Sequence, residues 1–475
     1  MLLFLIILPI LGAIILVMIP KANNSFSRLF SLYWSILVFN FSILLLFVFD
    51  PSITWFQLCY EIPWIAQSNS LFSFAIDGLS LSMILLTAFL IPVCILLSWN
   101  ASVAKKAKQY VISYLIMESF LFGVFTSLDI LLFYLFFEAV LIPMFLIIGI
   151  YGSRERRIRA SYLLFLYTLF SSIFMFLAIL YIYYKTGTTQ YTILKTIQLD
   201  TLEERLCWLC FFFSFAVKMP LLPFHIWLPE AHCEAPTAGS VILAGILLKL
   251  GGYGFLRFSI GLFPESSAFF TPLIFVISIF GVIYASITTL QQVDLKKIIA
   301  YSSVGHMGLV TLGLFSANSQ GILGAILLMI SHGIVSSALF LCVGILYERH
   351  HTRIIKYYSG LIHTMPLFSV CFIIFSLGNI GLPITSSFIG EFLIIVGCYE
   401  ANSWAALLSS SGMVLGAGYS LWLLNRILFG NVKNFAILNL KDVNRFEFYL
   451  LFPFVFLTFL LGIYPEIIIN YITIY

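Results

Sequence analysis

Charged side chains are scarce in this sequence, and their scarcity excludes most classes of soluble protein. Of the 475 residues, only 9% are Asp, Glu, Lys or Arg, whereas 61% are hydrophobic. Soluble domains carry about 25% charged residues, so a water-soluble enzyme is excluded. The net charge of +4 forms no concentrated basic face, which argues against a nucleic-acid-binding protein. We therefore interpret the chain as an integral membrane protein.

Sequence signatures of cofactor and metal binding are also missing. No Gly-x-Gly-x-x-Gly follows a strand pattern, and no phosphate-binding Gly-x-x-x-x-Gly-Lys-Ser/Thr occurs. The eight cysteines are scattered, and the one Cys207–Cys210 pair has no second pair to complete a metal site. His232 and Glu234 resemble the start of a zinc deaminase signature, but the Pro-Cys-x-x-Cys segment is absent. We expect this chain to bind no metal and no cofactor.

Long apolar runs, in contrast, are abundant. A helix needs about 20 apolar residues to cross a bilayer, and fourteen runs approach that length. They are residues 2–19, 29–49, 79–99, 111–128, 129–151, 161–184, 206–228, 238–262, 271–291, 299–317, 320–347, 365–398, 404–429 and 448–471. The predicted fold class is an all-α polytopic membrane protein with fourteen transmembrane helices.

The distribution of basic residues tests this count independently. With fourteen spans both termini lie on one side, and 18 of the 24 Lys and Arg residues then fall in loops on the opposite side. Basic loops stay on the inner side of a membrane, so we expect both termini outside. The chain is apolar from Leu2, with no basic or Arg/Ser-rich targeting segment, and we expect no removable leader.

Ionisable side chains within the predicted spans are the strongest indication of function. Each Lys or Asp at the bilayer centre costs about 2.5–3.5 kcal/mol on insertion scales, so these groups should be paired, hydrated or functional. The charged ones are Glu118, Glu138, Lys218, Lys249 and Glu391. Two imidazoles that can pass protons near neutral pH, His306 and His332, lie in apolar spans as well. Structural ion pairs between helices are the alternative, which stays most open for Glu118.

Two spans carry similar interruptions by Pro and Gly. In the seventh, Pro220 and Pro223 follow Lys218; in the twelfth, Pro383 precedes Glu391. Proline removes a backbone donor and breaks a helix, which a membrane tolerates only where the freed backbone faces protein or water. Paired interruptions of this kind are typical of inverted-repeat transporters.

The interruptions also predict how the chain is divided. Five spans would form each repeat, and because five is odd, one copy would be inverted relative to the other. The predicted divisions are three helices in residues 1–110, the first repeat in 111–262, the second in 271–429, and a last helix in 448–475. Glu230 and Glu234 mark a span end on the basic side, close to the expected route of proton uptake.

The residues around these charges resemble a known family. The run KMPLLPFHIWLPEAHCEAPTAGSVILAGILLKLGGYGFLRF is similar to the signature of the antiporter-like membrane subunits of respiratory complex I. Four further segments continue the resemblance in the same order: LKKIIAYSSVGHMGLV, LLMISHGIVSSALFL, LYERHHTRIIKYYSGL and GLPITSSFIGEFLI. Two positions depart from the family pattern, since Cys233 replaces an aliphatic residue and Ile384 stands where many members have Gly.

The resemblance implies a role for the buried charges. It implies that Glu138 pairs with Lys218, and that a charged axis with water access to both sides continues through Lys249, His306, His332 and Glu391. It also implies that flavin mononucleotide, the iron–sulfur clusters, and the NADH and quinone sites belong to other subunits. The expected partners are other membrane-arm subunits, including neighbouring antiporter-like ones, and the lipid bilayer.

These features together predict a proton-translocating membrane subunit of an NADH:quinone oxidoreductase, a chain that itself carries no redox centre. One alternative is an Mrp-type cation/proton antiporter, which shares the charged axis. Another is a scaffold whose charges only hold helices together. The resemblance and the apolar N-terminus favour the mitochondrial inner membrane with the basic loops facing the matrix, and a bacterial plasma membrane is the alternative.

Overall fold

A computed structural model describes residues 1–19, 24–53, 55–65, 70–99, 107–432 and 440–472. Nearly all of the described chain is helical. Several basic residues that were used to orient the spans, among them Lys21, Lys105, Lys106 and Lys433, lie outside the described residues.

The main helices follow the predicted apolar runs closely. They are α1 (Leu2–Met18), α2 (Asn24–Val48), α3 (Gly78–Leu96), α4 (Ala107–Thr126), α5 (Ile130–Ala139), α6 (Leu141–Tyr151), α7 (Arg157–Thr186), α8 (Thr201–Lys218), α9 (Trp227–Glu234), α10 (Thr237–Ile260), α11 (Pro264–Gln291), α12 (Leu295–Leu314), α13 (Ser319–His350), α14 (Pro366–Ile380), α15 (Ser386–Ala401), α16 (Ser403–Leu428) and α17 (Arg445–Ile463). Short helices occupy Tyr191–Leu194, Leu361–Thr364 and Glu466–Ile469.

Among the described residues, ten helical segments are long and apolar enough to cross a membrane. The continuous α5–α6 pair, Ile130–Tyr151, counts as one of them, and α1 and α14 are shorter apolar helices. The chain is therefore a polytopic membrane protein, as predicted. The other predicted spans coincide with helices that are broken or more polar, so the total of fourteen remains a prediction.

Several helices begin at a residue whose side chain caps the first turn. The carboxylate of Asp77 accepts a hydrogen bond from the backbone of Ser80 at 3.0 Å. Asp129, Asp294 and Asn318 cap α5, α12 and α13 in the same manner. Because the first backbone donors of a helix have no partner within it, such side chains favour a helix start at these positions.

A β-hairpin is the one part of the described fold that the all-α prediction missed. Strands β1 (Gln57–Ile65) and β2 (Ser70–Ile76) pair antiparallel, with Tyr60 opposite Phe74. The segment SLFSFAI alternates with a period of two, which is the pattern of a half-buried strand. An isolated bridge joins Phe74 to Ser127, so the hairpin lies against the end of α4.

Helices α10 and α13 form the centre of the molecule. Nearly every residue of both helices is buried, whereas α2 and α7 expose large apolar side chains. A helix that is apolar all round is enclosed by other helices. The two enclosed helices carry Lys249 and His332, so these residues lie far from the lipid-facing surface.

Candidate functional site

Four of the predicted residues form a continuous polar row in the centre of the protein. The Nζ atom of Lys249 lies 2.8 Å from Nδ1 of His332 and also donates a hydrogen bond to the carbonyl of Ala244. The rings of His332 and His306 are 5.5 Å apart. Nδ1 of His306 lies 3.3 Å from Oε1 of Glu391. All four side chains of the row are buried, so this arrangement links an amine to a carboxylate through two imidazoles.

Small residues explain why Lys249 and His332 approach so closely. A Cβ atom on Gly245 would lie 2.8 Å from Oγ of Ser337, and one on Gly333 would lie 3.0 Å from the carbonyl oxygen of Gly245. Small residues let the backbones of membrane helices pack at short range. Lys249 is one turn beyond Gly245, and His332 is adjacent to Gly333. The glycine contact therefore sets the distance between the two functional side chains.

The helix that carries Lys249 is not a regular α-helix. Two stretches of α10, Leu243–Leu247 and Phe255–Ile260, are π-helical, and Lys249 lies in the α-helical turn region between them. Such π-helical turns are rare and occur frequently at functional sites. Ala244, which accepts the hydrogen bond from Lys249, belongs to the first of these stretches.

Glu391 lies against the interruption between α14 and α15. Helix α14 ends at Ile380, α15 begins at Ser386, and Pro383 lies between them. Gly381 has a φ of 76°, and a Cβ atom at this position would collide with the carboxylate of Glu391. Ile384 has a φ of 82°, a left-handed conformation that favours glycine. The departure of Ile384 from the family pattern therefore falls at a strained position.

A small cavity beside the carboxylate gives the row room for solvent. It encloses about 20 Å³, space for about one water molecule, and is bounded by Glu391, His306, Ser302, Asn379 and Tyr419 among others. Nδ2 of Asn379 donates to the hydroxyl of Tyr419 at 3.4 Å. The end of the row is thus surrounded by groups that can hold a water molecule.

Replacing Gly381 by alanine tests whether this contact positions the carboxylate. We expect Gly381→Ala to reduce the proton translocation that the sequence predicts, because the new methyl group displaces Glu391 from His306. The strained backbone alone costs about 1–2 kcal/mol. The matched control is Gly187→Ala, which has a φ of 70° but open space around its Cβ position. Equal pumping in the two variants would contradict a positioning role for Gly381.

Lys218 and Glu138 occupy the other half of the protein. Lys218 ends α8, and its Nζ atom donates to the carbonyl of Phe137 at 3.4 Å and lies 4.2 Å from that ring centroid. Glu138 follows Phe137 directly, at the junction of α5 and α6. Among the described residues, no Glu138–Lys218 ion pair forms within 4.0 Å. The two groups are neighbours that interact through space without direct contact.

The interruption after Lys218 keeps its backbone hydrogen-bonded. Pro220 and Pro223 lie in the non-helical segment 219–226 between α8 and α9. Proline at these positions frees carbonyl groups of the preceding turn. The indole of Trp227 donates to the carbonyl of Val217 at 2.9 Å, which satisfies one of them.

Polar groups on the basic side extend from the surface toward this row. A cavity of about 330 Å³ is bounded by Glu230, Glu234, Asp294 and Lys297 among others. A cavity of this volume has room for several water molecules. Lys296 is buried and donates to the carbonyl of Ala235 at 2.7 Å.

Further inward, His232 is fully buried, and its ring stacks on Phe340 with centroids 4.6 Å apart. Neither ring nitrogen has a hydrogen-bond partner within the described part of the chain. His232 interacts electrostatically with both Lys296 and Lys249. The sequence indicates His232 only as a candidate metal ligand and Lys296 as a residue of a basic loop, so it does not predict this connection.

The sequence also does not predict a buried ion pair between Arg257 and Asp77. Arg257, counted from sequence among the basic residues at the side of the termini, lies in the last turns of α10, and its Nη2 atom is 2.5 Å from Oδ2 of Asp77. Its guanidinium lies 4.9 Å from the ring centroid of Phe56. Both charges are almost completely buried, and the pair joins α10 to the start of α3.

Comparison with known proteins agrees with this geometry. Residues 127–417 match the family model described as NADH:quinone oxidoreductase/Mrp antiporter, transmembrane. NADH-ubiquinone oxidoreductase chain 4 of Marchantia polymorpha is 55% identical over 466 residues, which cover 98% of this chain and 94% of that protein. The chain belongs to this family. The predicted membership of the complex I antiporter-like subunits, of the chain 4 type, is confirmed.

Solved structures show the same fold. A chain of respiratory complex I from Thermus thermophilus, solved with bound NADH, superposes with a TM-score of 0.90 at 29% identity, covering 99% of this chain and 97% of that chain. A chain of the Mrp complex from Dietzia sp. DQ12-45-1b superposes with a TM-score of 0.84 at 18% identity, covering 99% of this chain and 51% of that chain. The second similarity concerns the fold alone. The protein is a proton-translocating membrane subunit of complex I.

Proposed function

We propose that this subunit moves protons along a row of side chains that starts at Glu138 and Lys218 and ends at Glu391. The observation that carries the proposal is the succession of short distances from Lys249 through His332 and His306 to Glu391 in the protein interior. An imidazole can accept a proton on one nitrogen and release it from the other, so the two histidines suit the transfer between the amine and the carboxylate.

A charge switch between Glu138 and Lys218 would drive the transfer. Burial disfavours a charged ammonium, and a nearby carboxylate favours it. In the structure the two groups are neighbours without contact, so a small displacement of Glu138 changes how strongly Lys218 holds its proton. Approach of Glu138 loads Lys218, and withdrawal of Glu138 sends the proton on toward Lys249.

Proton uptake would occur on the basic side. Besides the supply through Lys218, protons would enter at the cavity beside Glu234 and would pass the buried Lys296 and His232 to reach Lys249. Release would follow from Glu391 through the small cavity beside Tyr419 toward the side of the termini. This route uses Glu234 as a surface acceptor and explains the unsatisfied ring nitrogens of His232.

The proposal includes the arrangement of the chain in its membrane. Fourteen spans, with two inverted five-helix repeats at residues 111–262 and 271–429, would place the interrupted α8–α9 and α14–α15 segments in corresponding positions. The membrane would be the mitochondrial inner membrane, with the basic loops facing the matrix. Flavin, iron–sulfur clusters, NADH and quinone would be bound by other subunits, and neighbouring antiporter-like subunits would pack against this one.

Alanine substitution of Lys218 tests the switch. We expect Lys218→Ala and Glu138→Ala to suppress proton pumping and slow coupled turnover while the complex still assembles, because within the described residues the two side chains form no direct ion pair and Lys218 makes only one long hydrogen bond, to the carbonyl of Phe137 at 3.4 Å. The measurement is the proton-to-electron ratio in membrane vesicles, with assembly checked by native gels stained for NADH oxidation. The control is Lys356→Ala, since Lys356 is an exposed amine that borders neither of the cavities described above. A normal ratio in assembled Lys218→Ala complex would refute the switch.

A further inference from the structure

A second file of polar side chains lies outside the row described above. Tyr110, Tyr114 and Glu118 are spaced four residues apart on α4, so they follow one another along one face of the helix. The rings of Tyr110 and Tyr114 have centroids 4.8 Å apart. All three side chains are at most 1% exposed. Packing of a membrane-protein interior does not by itself require three polar side chains along one face of a helix.

The file begins at the basic side of the protein. Helix α4 starts at Ala107, next to the basic loop, so Tyr110 lies nearest that surface and Glu118 lies about 12 Å deeper at 1.5 Å per residue. A cavity of about 330 Å³, large enough for several waters, is bounded by Glu348, Trp99, Asn444 and Glu447 among others. Trp99 belongs to the short helix Leu97–Trp99, which lies against α4, so the cavity lies close to the helix that carries the file.

The inner end of the file is a carboxyl group without a partner. Glu118 is completely buried, and within the described part of the chain neither of its oxygens has a hydrogen-bond partner. The hydroxyl of Tyr114 is also unsatisfied there. Buried polar groups are nearly always hydrogen-bonded to protein or to ordered water, and a carboxyl group that only packed against its neighbours would be replaced by an apolar side chain at lower free energy.

We propose that Glu348, Tyr110 and Tyr114 form a second proton path, which leads from the basic side to Glu118. This path is separate from the row that contains Lys249. A proton taken up by the Glu348 carboxylate passes along waters and the two hydroxyl groups. Each hydroxyl accepts one proton as it releases another, so the path needs no oxidant or reductant. The carboxylate of Glu118 gains the proton and becomes the neutral acid. The inference rests on the proposed function only in assuming that protons move within this subunit.

Hydrogen–deuterium exchange at Glu118 tests the path directly. In the purified complex, infrared difference spectra of wild type and Glu118→Gln identify the carboxylic acid band of Glu118, and transfer to D2O gives its exchange rate. We expect Tyr114→Phe to slow this exchange by about tenfold or more, because the variant lacks the hydroxyl group that would accept and release the proton, and tenfold in rate is about 1.4 kcal/mol of barrier. Glu348→Gln should slow it as well, without changing the interior packing.

The matched control is Tyr358→Phe. Tyr358 is 2% exposed, and its hydroxyl donates to the carbonyl of Thr352 at 2.8 Å, away from the file. Exchange at the wild-type rate in both Tyr114→Phe and Glu348→Gln would overturn the proposal, and so would the absence of any acid band that depends on Glu118. Loss of pumping in Lys218→Ala with unchanged Glu118 exchange in Tyr114→Phe would reject this path and retain the main row.

Discussion

Replacement of Lys249 by methionine is expected to abolish NADH-driven proton pumping through this subunit. Lys249 is the only amine that contacts His332 in the described structure, and methionine fills similar volume without a proton to transfer. Positioned proton transfer contributes about 10²–10⁴-fold to a rate, so pumping through this subunit should fall at least about hundredfold. The measurement is pH change per NADH oxidised in sealed vesicles.

The control for this experiment is Lys356→Met, which removes an amine of the same kind from an exposed position. We expect its pumping to match wild type, because Lys356 borders neither the cavity beside Glu234 nor the one beside Glu391. Native gels establish that both variants contain the assembled complex. Pumping at the wild-type ratio in assembled Lys249→Met complex would show that protons bypass the row.

The second large effect is expected from the buried pair between Asp77 and Arg257. Arg257→Met leaves the carboxylate of Asp77 buried beneath the hairpin without its cation. Removing one partner of a buried ion pair costs about 3–5 kcal/mol, so we expect the complex to lose thermal stability or to lack this subunit. The measurement is the melting temperature of the purified complex together with its content of this chain.

A double variant and a surface pair make this prediction specific. Combining Arg257→Met with Asp77→Asn removes both charges, and we expect most of the lost stability to return, since a neutral pair needs no compensation. Lys185→Met breaks the exposed pair with Glu203 on the same side and should cost less than about 1 kcal/mol. Equal losses in Arg257→Met and Lys185→Met would contradict the importance of burial.

The sequence was most informative about residues whose placement within a membrane costs the most free energy. Glu138, Lys218, Lys249 and Glu391 could be selected because a charge in an apolar run demands an explanation. Their contacts could not be predicted, because the 2.8 Å approach of Lys249 to His332 depends on how closely two helices pack. That distance is set by glycines on different helices, and a single sequence does not show which glycines meet.

Charges near the ends of spans were harder to interpret. From sequence, Arg257 is counted on the side of the termini, yet it lies within α10 and pairs with Asp77 inside the protein. The sequence indicates His232 only as a metal-ligand candidate and Lys296 as a basic loop residue, whereas the structure buries both. In each case a tertiary contact, and not the local sequence pattern, determines where the residue lies. The hairpin near Phe74 likewise depends on pairing between two separate segments.

The π-helical stretches of α10 leave room for the segment that carries Lys249 to rotate. Each wide turn contains surplus backbone, and Lys249 lies between two such turns while the ends of the helix are held by their neighbours. Tightening either turn to the α form would rotate the intervening segment by up to about 100°, the angle per residue of an α-helix. A change confined to one of these turns would therefore rotate the amine of Lys249 relative to His332.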